Sequence, residues 1–197
     1  MKTSIKNKLV LVAMLGTITS YANLMPALSS SEDIKPIMLT LDNVREGQRL
    51  LIKSDNGTIL YRESIDKTGF YKKEFDLTSL PNGNYFFEFD KDYEIKIIPF
   101  EVKGTIVTFN KDESRSIFKP VVTAKDNVVT IDKLALNNEP MEIEIFFDSG
   151  AYELIHSEEV SGIQTIQKAY KLLEKVTGNY KIVCKTEGRV FVTYFKV

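Results

Sequence analysis

Phe75 to Val102 reads FDLTSLPNGNYFFEFDKDYEIKIIPFEV, and Tyr170 to Val197 reads YKLLEKVTGNYKIVCKTEGRVFVTYFKV. A shift of 95 residues lays the first stretch on the second without a gap, so that Leu77, Gly83, Asn84, Tyr85, Phe100 and Val102 fall on Leu172, Gly178, Asn179, Tyr180, Phe195 and Val197. The apolar alternation carries over as well. Phe87, Phe89, Ile95 and Ile97 meet Ile182, Cys184, Val190 and Val192, and a period of two repeated at a fixed shift is what a duplicated strand pair leaves in a sequence. The pattern predicts two copies of one β domain.

The chain opens differently. Lys2, Lys6 and Lys8 precede an apolar run from Leu9 to Thr19, and Ser20-Tyr21-Ala22 ends it with small residues where a signal peptidase reads. Residues 1–22 are therefore expected to be a cleaved signal peptide, because a run of about 11 residues is short of the roughly 20 that span a bilayer. Residues 23–34, rich in Ser and acidic side chains, read as a flexible leader with no apolar face to bury. The first repeat is expected over 35–112 and the second over 113–197. Removing the three lysines from the 26 basic residues leaves 23 against 27 acidic ones, a net charge near −4. No basic stripe interrupts that balance, which argues against nucleic acid or an anionic membrane as partner.

Along the first copy, Ile37, Leu39 and Leu41 alternate, Leu50 and Ile52 share a face, and Asp55-Asn56-Gly57 marks a tight hairpin into the strand from Thr58 to Arg62. Asn56-Gly57-Thr58 also fits the glycosylation pattern, but a tight turn is the better reading. A further pair of strands, Thr105 to Phe109 and Ser116 to Val122, is expected to bridge the copies. In the second copy Val128 to Ile131, Met141 to Phe147 and Tyr152 to Ile155 follow in the same order. Ile163 to Val176 pulls both ways: Ile163, Ile166, Tyr170 and Leu173 are spaced as on a helix, while the 95-residue shift matches the segment to Phe70–Leu77, which reads as strand. Strand is the expectation, with a helical turn allowed near Leu172 to Lys175.

Leu80-Pro81-Asn82-Gly83-Asn84-Tyr85 resembles the tyrosine corner of immunoglobulin-like sandwiches, in which the phenol bonds back to upstream backbone. Tyr85 and Tyr180 are the expected corner residues. The longer phrase from Phe75 to Phe87 is similar to a segment of the C-terminal sorting domains of Bacteroidetes type IX secretion, and to secreted flavobacterial proteins of unknown function built from immunoglobulin-like repeats. That resemblance implies an all-β chain of two tandem immunoglobulin-like antiparallel sandwiches. It further implies an exported, non-catalytic binding or structural module of the cell envelope, with envelope protein or glycan as partner. A sorting or targeting pair of domains is the alternative.

Catalytic chemistry has little to stand on. His156 is the single histidine, placed just past a strand among Ser157, Glu158 and Glu159 and read as a solvated imidazole. Cys184, the single cysteine, falls on the inward register and reads as a small buried hydrophobe. Asp90-Lys91-Asp92 with Glu94 lacks the glycine and distal glutamate of a calcium loop and reads as a charged hairpin tip. No enzyme activity, cofactor or metal is expected. A surface remains. If the hairpin after Phe89 turned through an odd number of residues, Lys91-Asp92-Tyr93, Phe89 would lie opposite Ile95 and Glu88 opposite Lys96, leaving Phe86 and Ile98 as an outward apolar rung. The same count, with Thr186-Glu187-Gly188 at the tip, would set Val183 against Phe191. Phe86, Ile98, Val183 and Phe191 are the candidate interaction surface.

Overall fold

The computed structural model describes residues 36–172 and 177–197; the expected signal peptide and leader lie outside them. Fifteen strands follow in order: β1 Ile37–Val44, β2 Arg49–Ser54, β3 Ile59–Ser64, β4 Gly69–Phe75, β5 Gly83–Asp90, β6 Glu94–Lys103, β7 Ile106–Phe109, β8 Arg115–Phe118, β9 Val121–Lys125, β10 Val128–Leu134, β11 Met141–Asp148, β12 Tyr152–Val160, β13 Thr165–Lys171, β14 Asn179–Thr186 and β15 Arg189–Lys196. The chain is all-β. Its described residues form two compact units that divide between Ser116 and Ile117.

In the first unit β1 pairs with β4, and a larger sheet runs β3-β2-β5-β6-β7, with β8 also on β6. Leu39, Tyr71 and Phe75 from the small sheet meet Leu50, Ile52, Tyr85, Phe87, Phe89, Phe100 and Val102 from the large one in a single core. Two faces are thereby removed from water, which is what makes the pair of sheets stable. In the second unit the sheets run β13-β10-β9 and β12-β11-β14-β15, sandwiching Val129, Ile131 and Ile166 against Met141, Ile143, Ile145, Tyr180, Ile182 and Cys184. Six strands of each unit share one connectivity: β10 and β13 pair as β1 and β4 do, and β12-β11-β14-β15 repeats β3-β2-β5-β6, while among the described residues β9 on β10 and β7 and β8 on β6 have no counterpart in the other unit. Asn43 and Asn138, 95 residues apart, even share a left-handed backbone, with φ of 54° and 60°.

The ambiguous segment is a strand. Thr165 to Lys171 pairs residue by residue with β10, Ile166 is fully buried, and the pairing overrides the local helix preference. Residues 173–176 lie outside the described ones. The expected bridging pair differs from expectation: β7 and β8 do not pair with each other, and each pairs with β6. Val107 and Phe109 turn into the first core.

Both hairpin turns also differ. Asp90 pairs with Ile95 and the amide of Lys91 donates to the carbonyl of Glu94 at 2.9 Å, so the tip is the two-residue turn Asp92-Tyr93. Thr186 pairs with Arg189, leaving Glu187 and Gly188 at the second tip with φ of 50° and 68°, the left-handed pair that suits the twist of the flanking strands. An even turn moves every cross-strand partner to the other face. Phe86 therefore opposes Pro99, Phe87 opposes Ile98 and Glu88 opposes Ile97; Val183 opposes Val192, and Phe191 opposes Cys184.

Candidate functional site

Tyr85 is buried and its hydroxyl donates to the carbonyl of Pro81 at 2.7 Å, with its ring stacked on Phe100 at 5.5 Å. Tyr180 is buried in the same place, stacked on Phe195 at 5.4 Å. The position four residues upstream of it, Val176, lies outside the described residues. The glycines before the two tyrosines serve different ends. A Cβ on Gly83 would make only ordinary contact with the Tyr85 ring, the nearest atom at 3.5 Å, whereas one on Gly178 would lie 2.7 Å from the Phe147 ring. Phe147 itself packs on Tyr180 at 5.1 Å.

The rungs expected from the sequence are not brought together. Ile98 turns into the first core while Phe86 is on the outward face. Val183 is outward and buried, while Phe191 turns into the second core. What the outward faces do carry is a set of rungs reversed between the units. Across β2 and β5 stand Arg49–Asp90, Leu51–Glu88 and Lys53–Phe86; across β11 and β14 stand Glu142–Lys185, Glu144–Val183 and Phe146–Lys181. Every rung has exchanged the character of its two strands.

The reversal goes with burial. In the first unit Leu51, Lys53, Glu88, Asp90, Ile95 and Ile97 are all buried, and Lys53 Nζ meets Glu88 Oε2 at 2.8 Å with side chains only 11% and 5% exposed. Glu88 was expected to be an exposed partner of Lys96; it is a buried partner of Lys53. In the second unit the face is open. Tyr152, Leu154, Val190, Val192 and Tyr194 are exposed, Tyr194 by 64%. Lys181 Nζ sits 4.0 Å from the centroid of the Phe146 ring and 5.0 Å from that of Tyr152, and Tyr152 meets Tyr194 edge-on at 5.9 Å and 62°. One ammonium is thus held by two aromatic rings, with a third packed against the second, an arrangement worth about 0.5–1 kcal/mol per exposed cation–π contact. Beyond it, Lys185 Nζ donates to Glu144 Oε1 at 2.8 Å and Glu142 Oε1 at 3.3 Å, and these bonds, Glu144's first, hold the ammonium's pKa above its ordinary value.

A second constellation occurs once per unit. Glu63 on β3 accepts hydrogen bonds from Tyr61, Lys73 and Tyr71, the last at 3.0 Å. Glu158 on β12 accepts from Tyr170 and from Lys168, the latter at 2.7 Å. Glu63 and Lys73 are 95 residues from Glu158 and Lys168, and the ring pair Tyr61–Phe75, edge-on at 5.2 Å, recurs as His156–Tyr170 at 5.1 Å. Each cluster ties the edge strand of the larger sheet to the smaller sheet of the same unit. The hydroxyls differ: Tyr61 on β3 and Tyr71 on β4 donate in the first cluster, and Tyr170 on β13 in the second. Burial alone would raise the Glu63 pKa, but the bonds from Lys73 and Tyr61 outweigh it and hold the carboxyl below its ordinary value. Glu158 is held low chiefly by Lys168 and then by Tyr170, while burial and Glu158 together push the Tyr170 phenol up. His156 is on β12 rather than past a strand end, its Nε2 3.6 Å from Glu158 Oε1. The sequence reading missed this cluster although the same 95-residue shift contains it.

The charged tip after β5 is engaged in ion pairs, Arg45 with Asp92 at 2.6 Å and Lys91 with Glu94 at 2.6 Å, and Arg49 Nε donates to Asp90 Oδ2 at 3.1 Å. Among the described residues no group of three or more His, Cys, Asp or Glu side chains is placed to hold a metal ion. Burial pushes the Cys184 thiol up to about 11, which keeps it protonated and unreactive at neutral pH. A depression of about 150 Å³ beside the β9–β10 turn is lined by Asp126, Asn127, Leu172 and Lys196 among others. Among the described residues no helix is long and apolar enough to cross a membrane.

No family model and no curated protein matches the chain. Among solved structures it is similar to a biofilm associated protein, BSP domain, at 10% identity and a TM-score of 0.29, covering 81% of this chain and 27% of that one.

Proposed function

We propose that the protein is an exported, non-catalytic binding module of two immunoglobulin-like sandwiches, and that it holds a protein partner of the cell envelope on the outward face of β12-β11-β14-β15. The observation that carries this reading is the cluster in which exposed Tyr152 and Tyr194 stand over half-buried Phe146 and Lys181. An open aromatic surface of this kind is what interface cores are built from. The 62° between Tyr152 and Tyr194 gives the two rings no shared plane along which successive sugars of a chain could stack, which favours protein over an extended glycan.

The immunoglobulin-like assignment is supported by the strand orders and by the corner bond of Tyr85 to Pro81. Export is supported by the basic-then-apolar opening of the sequence. The non-catalytic part of the reading rests on the sequence, in which the single His and the single Cys belong to no recognised catalytic motif. A photo-crosslinking residue at Tyr152 or Tyr194 is expected to capture one envelope protein, and the same residue at Gln167 on β13 to capture none. Equal capture from both sheets, or none from either, refutes the assignment.

A further inference from the structure

We propose that the outer edge of β15 pairs with β15 of a second copy of this chain, joining two β12-β11-β14-β15 sheets into one. The inference begins with how the other edges of the larger sheets are protected. The edge of β6, which holds the place in the first unit that β15 holds in the second, is occupied by β7 and β8. β3 and β12 each carry a register shift and charged side chains, Arg62 and Glu63 on one, Glu153, Glu158 and Glu159 on the other. Bulges and charges are how sheet edges avoid unwanted pairing. β15 has neither between Val190 and Phe195. Its register with β14 is unbroken, the six residues VFVTYF are uncharged and strongly strand-forming, and among the described residues no strand pairs with its outer side.

The hydrogen-bonding direction is fixed at the end of the strand. Val197 and Gly178 exchange both backbone bonds, at 3.0 and 3.1 Å, so the odd-numbered residues of β15 face β14. Val190, Val192, Tyr194 and Lys196 then turn their N–H and C=O groups to the open edge. A two-fold axis normal to the sheet keeps outward side chains outward, so only a register that joins even-numbered to even-numbered residues extends the sheet. That rule excludes the register in which Arg189 would oppose Lys196 of the second copy. Centring the axis on Val192 pairs Val192 with itself and Val190 with the second copy's Tyr194, while Phe191 faces Thr193 on the inner side. No like charges meet, and Lys196 comes beside the second copy's Glu187. The exposed Val190, Val192 and Tyr194 are thereby partly covered by one another.

The experiment is sedimentation of the full chain over a concentration series, with Val192→Pro and Val192→Cys beside the native chain. Proline removes an outward N–H and no bond to β14, so it should raise the dimer dissociation constant about tenfold or more, since two symmetric bonds are lost. A cysteine at 192 should cross-link the dimer on mild oxidation, because directly paired Cα atoms are about 5.5 Å apart and within disulfide range. Val190→Cys, which faces Tyr194, should not. A native chain that stays monomeric throughout, a dimer indifferent to proline, or cross-linking at 190 and not at 192 overturns the proposal. If the proline variant does not fold, the cysteine pair decides. Loss of the dimer with capture from Tyr152 intact would leave the binding face standing, so the two readings fail separately.

Discussion

The outward faces of β3-β2-β5-β6 and β12-β11-β14-β15 have the same strand order and the same pairing of their middle strands, yet their rungs are reversed and their exposure is opposite. Lys53 and Glu88 form an ion pair on a face that is buried; Phe146 and Lys181 form a cation–π contact on a face that is open. The backbone that two units share therefore says nothing about which face works. Which side chains stand on each rung, and how much water reaches them, decides it.

The strongest way to sharpen the contrast is to remove one partner of a rung from each face. Glu88→Ala leaves the Lys53 ammonium uncompensated in a dry place, and should cost about 3–5 kcal/mol in the urea transition of the first unit. Lys185→Ala should leave the transition of the second unit where it is, because that ion pair is solvated. Equal losses would break the comparison.

Glycine exchange comes next in size. Gly178→Ala drives a methyl group into the Phe147 ring and should cost about 1–3 kcal/mol, whereas Gly83→Ala should stay within about 0.5 kcal/mol, since its Cβ finds ordinary contact. Denaturation midpoints of the two variants check this. A costly Gly83→Ala would mean that the Gly-x-Tyr phrase needs its glycine for the corner itself.

The repeated Glu clusters give a smaller effect that the two units should share. Both carboxyls are held below their ordinary value of 4.5, so the stability they contribute is present above that pH and is lost as pH falls through their lowered folded values. Glu63→Gln with Glu158→Gln should flatten the acid limb of a pH–stability profile below about 4.5. The phenols of Tyr71 and Tyr170, raised above 10.0, add stability present below that pH and lost as it rises. An acid limb unchanged by the double substitution would remove the clusters from the stability of either unit.

Much of this could be read from residues alone. Alternation gave the strands, Asp55-Asn56-Gly57 gave a hairpin, and the 95-residue shift placed Thr165–Lys171 on a strand against its own helical spacing. Turn parity could not be read, for a physical reason. The larger sheet of the first unit is buried on both faces, so Phe87 and Phe89 on one side and Ile95 and Ile97 on the other are all apolar, and periodicity is silent about which residues share a face. Asp92-Tyr93 also lacks the glycine that would have announced a two-residue turn. The Glu63 and Glu158 clusters lie within the same ungapped shift of 95, which runs upstream from Phe75 through Lys73 to Glu63. Only further upstream does the shorter loop between Asn138 and Met141 change the shift to 93 across β2 and β11. The clusters escaped because Glu, Lys and Tyr carry no apolar period, and alternation marks only the side chains that a strand buries.

The central claim is that the open face of the second unit holds the partner. Its most direct measurement is the affinity of Lys181→Glu for the protein captured from Tyr152, set against its urea midpoint. Reversing the charge at the centre of the aromatic cluster should weaken binding at least about tenfold, the loss of one well-placed interface contact, while the midpoint falls by no more than the loss of the two ring contacts, about 1–2 kcal/mol, accounts for. Native affinity in a folded Lys181→Glu variant would contradict the account.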